Sequence, residues 1–70
     1  MPVITIEGGP VDTAVKKQLI EQLTEKAAEI TGAPKQFFTV LVRELPLENI
    51  GLAGETVPDM KARMAREAGQ

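Results

Sequence analysis

The hydrophobic pattern begins with a β-branched run near the start of the chain, where residues 3–7 read VITIE. Runs of this composition favour a β-strand, and we predict one here. Directly before it stands Pro2, which has no amide hydrogen for a sheet and is tolerated mainly at an edge or at a strand's first residue. The cluster of Gly8, Gly9 and Pro10 then predicts a turn that ends the strand.

A helical pattern follows this turn. Asp12 is a favourable N-cap, and Gly32 followed by Pro34 is a typical helix stop. Between them, apolar residues recur at spacings of three and four, while charged and polar residues fill the other side. We therefore predict one amphipathic helix. Its apolar stripe consists of Ala14, Val15, Leu19, Ile20, Leu23, Ala27 and Ile30.

A second β-branched and aromatic run covers residues 36–44. A strand that follows a strand and a helix is most simply a βαβ unit with parallel strands. Both sides of this strand are substantially apolar, and one helix covers only one of them, so we expect the other to contact further chains. The two sets are Phe38, Val40 and Val42 on one side, and Phe37, Thr39, Leu41 and Arg43 on the other.

The remainder of the chain is richer in turn formers. Four of them, Pro46, Gly51, Gly54 and Pro58, predict a turn and a short hairpin. Residues 59–70 return to helix formers with a narrow apolar stripe, which fits either a marginal helix or a frayed tail. We therefore expect an α/β fold, with one βαβ unit and a C-terminal hairpin in a single domain over residues 1–70.

Composition adds a reason for self-association. A chain of 70 residues buries only about 60% of its unfolded surface, so its own core is marginal. It has no cysteine and no histidine, which excludes disulfides and the usual zinc, iron and copper sites. We expect a dimer-based homo-oligomer to supply the missing burial.

Charge and hydropathy narrow the partners. The net charge is −2, no basic stripe is present, and there is no tryptophan or tyrosine for base stacking, so we expect no nucleic acid partner. No apolar run reaches membrane-spanning length, and the first residues lack the basic region and apolar stretch typical of a signal peptide, so we expect neither a membrane span nor a secretory signal. The predicted location is the cytoplasm, with no membrane partner.

The chemistry open to the chain is limited, because it also lacks serine. Nucleophiles and bases built on serine, cysteine or histidine are therefore excluded. The carboxylates are spread as solvated charges, and Gly8-Gly9 lacks the further residues of a phosphate loop. An α-amino group, by contrast, has a pKa of about 7.7 to 8.0, and modest burial or a nearby cation would make it a base at neutral pH. Pro2 could carry such an amine if Met1 is removed.

The chain resembles the 4-oxalocrotonate tautomerase family over roughly residues 2–59. The resemblance rests on Pro2 before an apolar strand, the helix end at residues 32–34, the strand ending in Glu44, and the hairpin sequence IGLAG at residues 50–54. It implies a βαβ subunit that forms dimers and commonly hexamers. It also implies that the amine of Pro2 is the general base moving a proton between an enol oxygen and carbon, without a metal or organic cofactor.

Other site residues of the family are replaced in this chain. The loop after the first strand, where the best-known members have an arginine, contains none, and a second family arginine corresponds to Thr39. Ile50 stands where the family has a pocket aromatic. Arg43 is the nearest replacement cation, although a surface arginine paired with a carboxylate fits it equally. Phe37 could supply an aromatic wall or pack in an interface. Further candidate cations are Lys16, Lys17 and Lys35.

The leading hypothesis is a tautomerase or isomerase acting on an unsaturated 2-oxo acid or its enol, with a preference for a monocarboxylate. A dehalogenase-like hydratase ranks below it, because no carboxylate has been assigned to activate water. A third hypothesis is a non-catalytic oligomeric binding or structural module in which Pro2 only opens the strand.

Overall fold

The computed structural model describes residues 1–69 as a βαβ unit followed by a hairpin and a second helix. Strand β1 is Val3–Gly8, helix α1 is Thr13–Thr31 and strand β2 is Thr39–Glu44. The hairpin consists of β3, Gly51–Leu52, and β4, Glu55–Thr56, and helix α2 is Val57–Ala68. The predicted α/β class, with a parallel strand pair and a C-terminal hairpin, is confirmed.

Strands β1 and β2 pair in parallel from Val3 opposite Thr39 to Gly8 opposite Glu44. Helix α1 makes this arrangement possible, because a parallel pair needs a long crossover. Its two ends have the predicted caps. Asp12 accepts a hydrogen bond at 2.9 Å from the amide of Val15, and Gly32 adopts a φ of 77°, a left-handed conformation that suits glycine.

Strand β2 begins later than predicted. Residues 36 and 37 were expected in the strand, but Lys35–Phe37 forms a 3₁₀ turn in which the amide of Phe37 donates to the carbonyl of Pro34 at 3.1 Å. Phe38 leads from this turn into the strand. The aromatic composition of the run was strand-like, but the preceding proline favours a new turn at this point.

The side of the sheet away from α1 is less apolar than predicted. We call it the open face, and it carries Val3 and Leu41, which are 59% and 40% exposed, beside Thr5 and Thr39. Its far end carries an ion pair rather than apolar side chains. Ile4, Val40 and Val42, at the alternate positions, are less exposed and face α1.

No residue among 1–69 is fully buried in the single chain. The radius of gyration is 16.5 Å, whereas a compact chain of this length has about 11 Å. The molecule is also elongated, measuring 51 × 21 × 21 Å. This shape leaves substantial apolar surface available to other chains.

Residues 59–70, predicted as a marginal helix or a frayed tail, belong to a regular helix as far as the structure describes them; Gln70 lies outside the described residues. The helix begins at Val57, before the predicted start. Thr56 is its N-cap, and its hydroxyl oxygen accepts from the amide of Asp59 at 3.2 Å. Pro58, predicted as a turn residue, lies in the first turn of the helix, where a missing amide hydrogen costs nothing.

Neither helix is both long enough and apolar enough to cross a membrane, within residues 1–69.

Candidate functional site

Pro2 lies at the amino end of the parallel strand pair. Its carbonyl oxygen accepts a hydrogen bond at 3.1 Å from the amide of Thr39, one step before the first paired residues of the sheet. This bond fixes the backbone of Pro2 against β2, while its side chain remains exposed. The residue is therefore ordered without being enclosed within one chain.

Two other predicted site residues belong to the same end of the sheet. Thr39 opens β2, and the 3₁₀ turn that carries Phe37 leads directly into it. The Phe37 side chain is 45% exposed, so a large aromatic surface is left uncovered at this end. We call Pro2, Thr39 and Phe37 the proline end.

Arg43 lies at the opposite end of the same strand. It is paired with Glu7 across the sheet, and its Nη1 atom lies 3.6 Å from the Glu7 Oε1 atom. It is four positions along the strand from Thr39, which corresponds to about 13 Å. A small molecule at Pro2 would not reach the Arg43 of the same chain, so any contact between them has to come from another copy.

Ile50 also lies away from the proline end of its own chain. It follows the second 3₁₀ turn, Leu47–Asn49, and its carbonyl accepts from the amide of Val57 at 2.9 Å. This turn packs near the loop after β1, since a Cβ on Gly9 would lie 2.7 Å from the Leu47 Cδ2 atom. Ile50 is half-buried there.

The loop between β1 and α1 is held by Glu44, the last residue of β2. The Glu44 Oε1 atom lies 2.7 Å from the Lys16 Nζ atom and accepts from the amide of Val11 at 3.3 Å. The hydrogen bond from Lys16 and then that from Val11 lower the pKa of the Glu44 carboxyl. We call these three residues the loop clasp.

The clasp was not anticipated from the sequence. In a βαβ unit the carboxyl end of β2 and the amino end of α1 lie at the same edge of the sheet, because the helix runs antiparallel to the strands. The loop clasp could have been predicted from two features together: an acidic residue at the end of β2 and a lysine in the first turns of α1.

Two of the candidate cations are already paired within the chain. Lys16 belongs to the clasp, and the Lys35 Nζ atom lies 3.0 Å from the Glu25 Oε1 atom at the surface. Exposed pairs of the second kind contribute little stability and can exchange partners. Lys17 has no ion-pair partner among residues 1–69.

The described residues contain no group of three or more carboxylates placed to hold a metal ion. Pro2 lies at a strand start, at the same end of the sheet as Thr39 and Phe37, and its nitrogen is an amide as long as Met1 precedes it.

Comparison with known proteins links this arrangement to one enzyme family. Residues 2–60 match the family described as Tautomerase enzyme. The chain is 38% identical over 47 residues to a 2-hydroxymuconate tautomerase of Pseudomonas putida, covering 67% of this chain and 75% of that protein. A 2-hydroxymuconate tautomerase of Bacillus subtilis (strain 168) is 32% identical over 63 residues, covering 87% of this chain and all of the relative.

A solved structure shows the same fold. The crystal structure of DmpI from Archaeoglobus fulgidus superposes with a TM-score of 0.78 at 38% sequence identity, covering 83% of this chain and 100% of that one. The resemblance noted from the sequence is confirmed.

Proposed function

The chain belongs to the tautomerase family, and from this premise we propose that the amine of Pro2, freed by removal of Met1, is the general base of a keto–enol tautomerase. The predicted enzyme class is confirmed by the family match and by both tautomerase relatives. The identity of the base and of the substrate is our proposal.

The observation that carries the proposal is the position of Pro2. The hydrogen bond from Thr39 holds its carbonyl at 3.1 Å, so the ring nitrogen has a defined place at the sheet edge. The ring adds rigidity of its own, because it restricts φ. A base held in this way gains from orientation, and α-amino groups in general have a pKa of about 7.7 to 8.0, which is close to neutrality.

The reaction needs only one proton to move. The Pro2 nitrogen takes the proton from the enol hydroxyl of the substrate, the enol electrons form the carbonyl, and a conjugated carbon accepts the proton that the nitrogen carries. The product has the same atoms and the same oxidation state as the substrate, so the step itself requires no cofactor. We propose 2-hydroxymuconate, named in both relatives, as the first substrate to test.

We further propose that the enzyme prefers a monocarboxylate dienol to a dicarboxylate. The proline end has Thr39 where the family has an arginine, and the Arg43 of the same chain is about 13 Å along the strand. The nearby Lys35 is largely exposed and pairs weakly with Glu25, so it is a mobile cation and not one fixed at the proline end. A second substrate carboxylate would therefore lose its hydration without gaining a dedicated cation, unless another copy supplies one.

Self-association belongs to the same proposal. Val3 and Leu41 are exposed on the open face, and no residue among 1–69 is fully buried in one chain. We propose a dimer-based oligomer, with a hexamer as the expected size. Arg43 and Ile50 lie away from the proline end of their own chain, and they would join a substrate pocket only across such an interface.

The decisive experiment compares two forms of the same protein. One form begins at Pro2 and the other retains Met1, so that the Pro2 nitrogen is an amide without basicity. Intact-mass measurement verifies each form, and ketonisation of 2-hydroxymuconate is followed by ultraviolet absorbance. We expect the Met1 form to have kcat/KM lower by about 10² to 10⁴-fold, the usual contribution of a general base.

The control is the oligomeric state and circular dichroism of both forms, which should be equal. Equal activity of the two forms would contradict the assignment of the base. A chain that begins at Pro2, assembles normally and turns over no enol substrate would instead favour the non-catalytic module. Substrate preference is then measured as the ratio of kcat/KM for a monocarboxylate and a dicarboxylate dienol.

A further inference from the structure

Helix α2 is held in a fixed direction by the hairpin that precedes it. The Arg63 Nε atom donates to the Glu55 Oε2 atom at 3.0 Å, and its Nη2 atom donates to Oε1 at 3.1 Å. Such a two-point pair between an arginine and a carboxylate fixes geometry as well as distance. Because this pair links α2 to β4, the hairpin fixes the direction of the helix axis.

This direction leaves one side of α2 without a full partner in its own chain. The main contacts of α2 within its own chain are with β4 and the turn Leu47–Asn49. Val57, Met60 and Met64 form its apolar stripe, and Met64 is 53% exposed. A helix of 12 residues is marginal by itself, so its stability depends on packing of this stripe.

A matching surface lies on α1. A shallow groove of about 280 Å³ is lined by Val15, Leu19 and Leu23 with Gln18 and Gln22. The three apolar residues follow one another at intervals of four, and Val15 is 40% exposed. Rows of this spacing accept similar rows of another helix, as ridges fit into grooves.

The stripe on α2 has the corresponding spacing and a suitable side-chain type. Met60 and Met64 are four residues apart, so they form one such row. Methionine is flexible and polarisable, and it fills irregular apolar surfaces well. The glutamines of the groove can hydrogen bond with polar groups at the border of the contact.

Charge also favours contact between α2 and the body of another chain. Residues 57–69 carry three cations and two carboxylates, a net charge of +1. Residues 1–56 carry five cations and eight carboxylates, a net charge of −3. Because these net charges are opposite, residues 57–69 of one copy are attracted to residues 1–56 of another, which favours an orientation with α2 in the contact.

We propose that α2 of one copy lies in the α1 groove of a second copy, with Met60 and Met64 against Val15, Leu19 and Leu23. A second copy is the occupant because the 51 Å length of the chain carries α2 away from its own compact part. The inference rests on the self-association proposed above but goes beyond it. The family match ends at residue 60, so most of α2 lies outside the matched segment.

The absence of cysteine makes the contact directly testable. Met64→Cys is placed on one batch of full-length chain and Val15→Cys on another, and the two are mixed, allowed to exchange subunits and mildly oxidised. Gln22→Cys is a second variant on the groove side, at the other end of the groove, because the geometry at a single position does not always permit a disulfide. Ala62→Cys is the matched control, since residue 62 points away from the stripe.

We expect the yield of mixed disulfide with Val15→Cys or Gln22→Cys to be about tenfold higher for Met64→Cys than for Ala62→Cys. The reason is that docking of α2 raises the effective thiol concentration. Mass spectrometry of the joined peptides identifies the pair, and mixing single variants ensures that the bond joins two chains. Sedimentation velocity is run on the same samples. An intact oligomer with no excess over the Ala62→Cys control would overturn the arrangement of α2 while leaving self-association standing.

A monomer in sedimentation would overturn both proposals. A second measurement avoids thiols altogether. Met64→Glu should raise the dissociation constant of the oligomer by about tenfold, because it places a charge in the contact, whereas Ala62→Glu makes the same charge change outside it. Equal dissociation constants for the two variants would contradict the placement of the stripe.

Discussion

The turn of the C-terminal hairpin contains a strained alanine, and replacing it should stabilise the protein. Leu52 and Glu55 pair across the hairpin, so the loop has only two residues, Ala53 and Gly54. Both have positive φ angles, 54° and 83° respectively, as in a type I′ turn. Glycine accepts this conformation freely, but alanine does not.

The size of the effect follows from two opposing contributions. A non-glycine residue in the left-handed region costs about 1 to 2 kcal/mol, because its Cβ approaches the following carbonyl oxygen. Ala53→Gly removes this cost, but the freer unfolded chain takes back about 0.4 to 1 kcal/mol. The free energy of unfolding should therefore rise by about 0.5 to 1 kcal/mol, or a few degrees in Tm.

The assay is urea unfolding followed by circular dichroism, with all variants at one protein concentration, because association contributes to apparent stability. Gly54→Ala is the matched control at the neighbouring position, and by the same two contributions with opposite sign it should lower the free energy of unfolding by about 0.5 to 1 kcal/mol. If Ala53→Gly leaves the midpoint unchanged or lowers it while Gly54→Ala behaves as expected, the assignment of strain to Ala53 is wrong.

Three further predictions concern the clasp, the open face and the first helix cap. The hydrogen bonds from Lys16 and from the Val11 amide lower the pKa of Glu44 in the folded protein. The carboxylate therefore contributes its full stabilisation at pH values above its ordinary pKa of 4.5, and this contribution is lost as the pH falls through the lower pKa of the folded state. Glu44→Gln should remove that acid dependence from urea midpoints measured between about pH 3 and 6, and Glu48→Gln should retain it. Leu41→Lys should weaken self-association by at least about tenfold in sedimentation at serial dilution, because it charges the open face, and an unchanged distribution would show that this face lies outside the interface. Asp12→Ala should lower the free energy of unfolding by about 1 kcal/mol, whereas Asp12→Asn keeps the capping oxygen and should cost much less.

Much of the βαβ unit could be predicted because its signals are local. Asp12 and Gly32 mark the helix ends through their own backbone and side-chain preferences, and the structure has caps at both positions. The strand in residues 3–7 was also correctly predicted, with one residue added at its end. Local preference and tertiary packing agree over this part of the chain.

The less accurate predictions fall where a residue has two local roles. Pro58 ends helices in their interior but begins them in the first turn, and only the cap at Thr56 distinguishes the two cases. Phe37 has a strand-like side chain but follows Pro34, and the 3₁₀ turn prevails. The deciding interaction is the capping bond between Thr56 and Asp59 in the first case and the bond from the Phe37 amide to the Pro34 carbonyl in the second, and composition reports neither.

The candidate site could be predicted only in part for a different reason. Pro2, Thr39 and Phe37 lie at the same end of the sheet, because all three are at or next to strand starts that the parallel register places side by side. Arg43 and Ile50 were associated with Pro2 through family resemblance, and within one chain they lie elsewhere. Contacts that depend on a second copy leave no periodic signal in a single sequence.

The pairing of β1 with β2 also determines how the protein has to fold. Each residue of β1 meets a partner 36 positions later, from Val3 with Thr39 to Gly8 with Glu44. Closing such a loop is slow compared with helix formation, and α1 fills most of it with local hydrogen bonds. During synthesis we therefore expect the β1 segment to remain unpaired until β2 has left the ribosome. We expect the helix to form first and the strand pair second, so that Pro2 acquires its fixed position only in the second step.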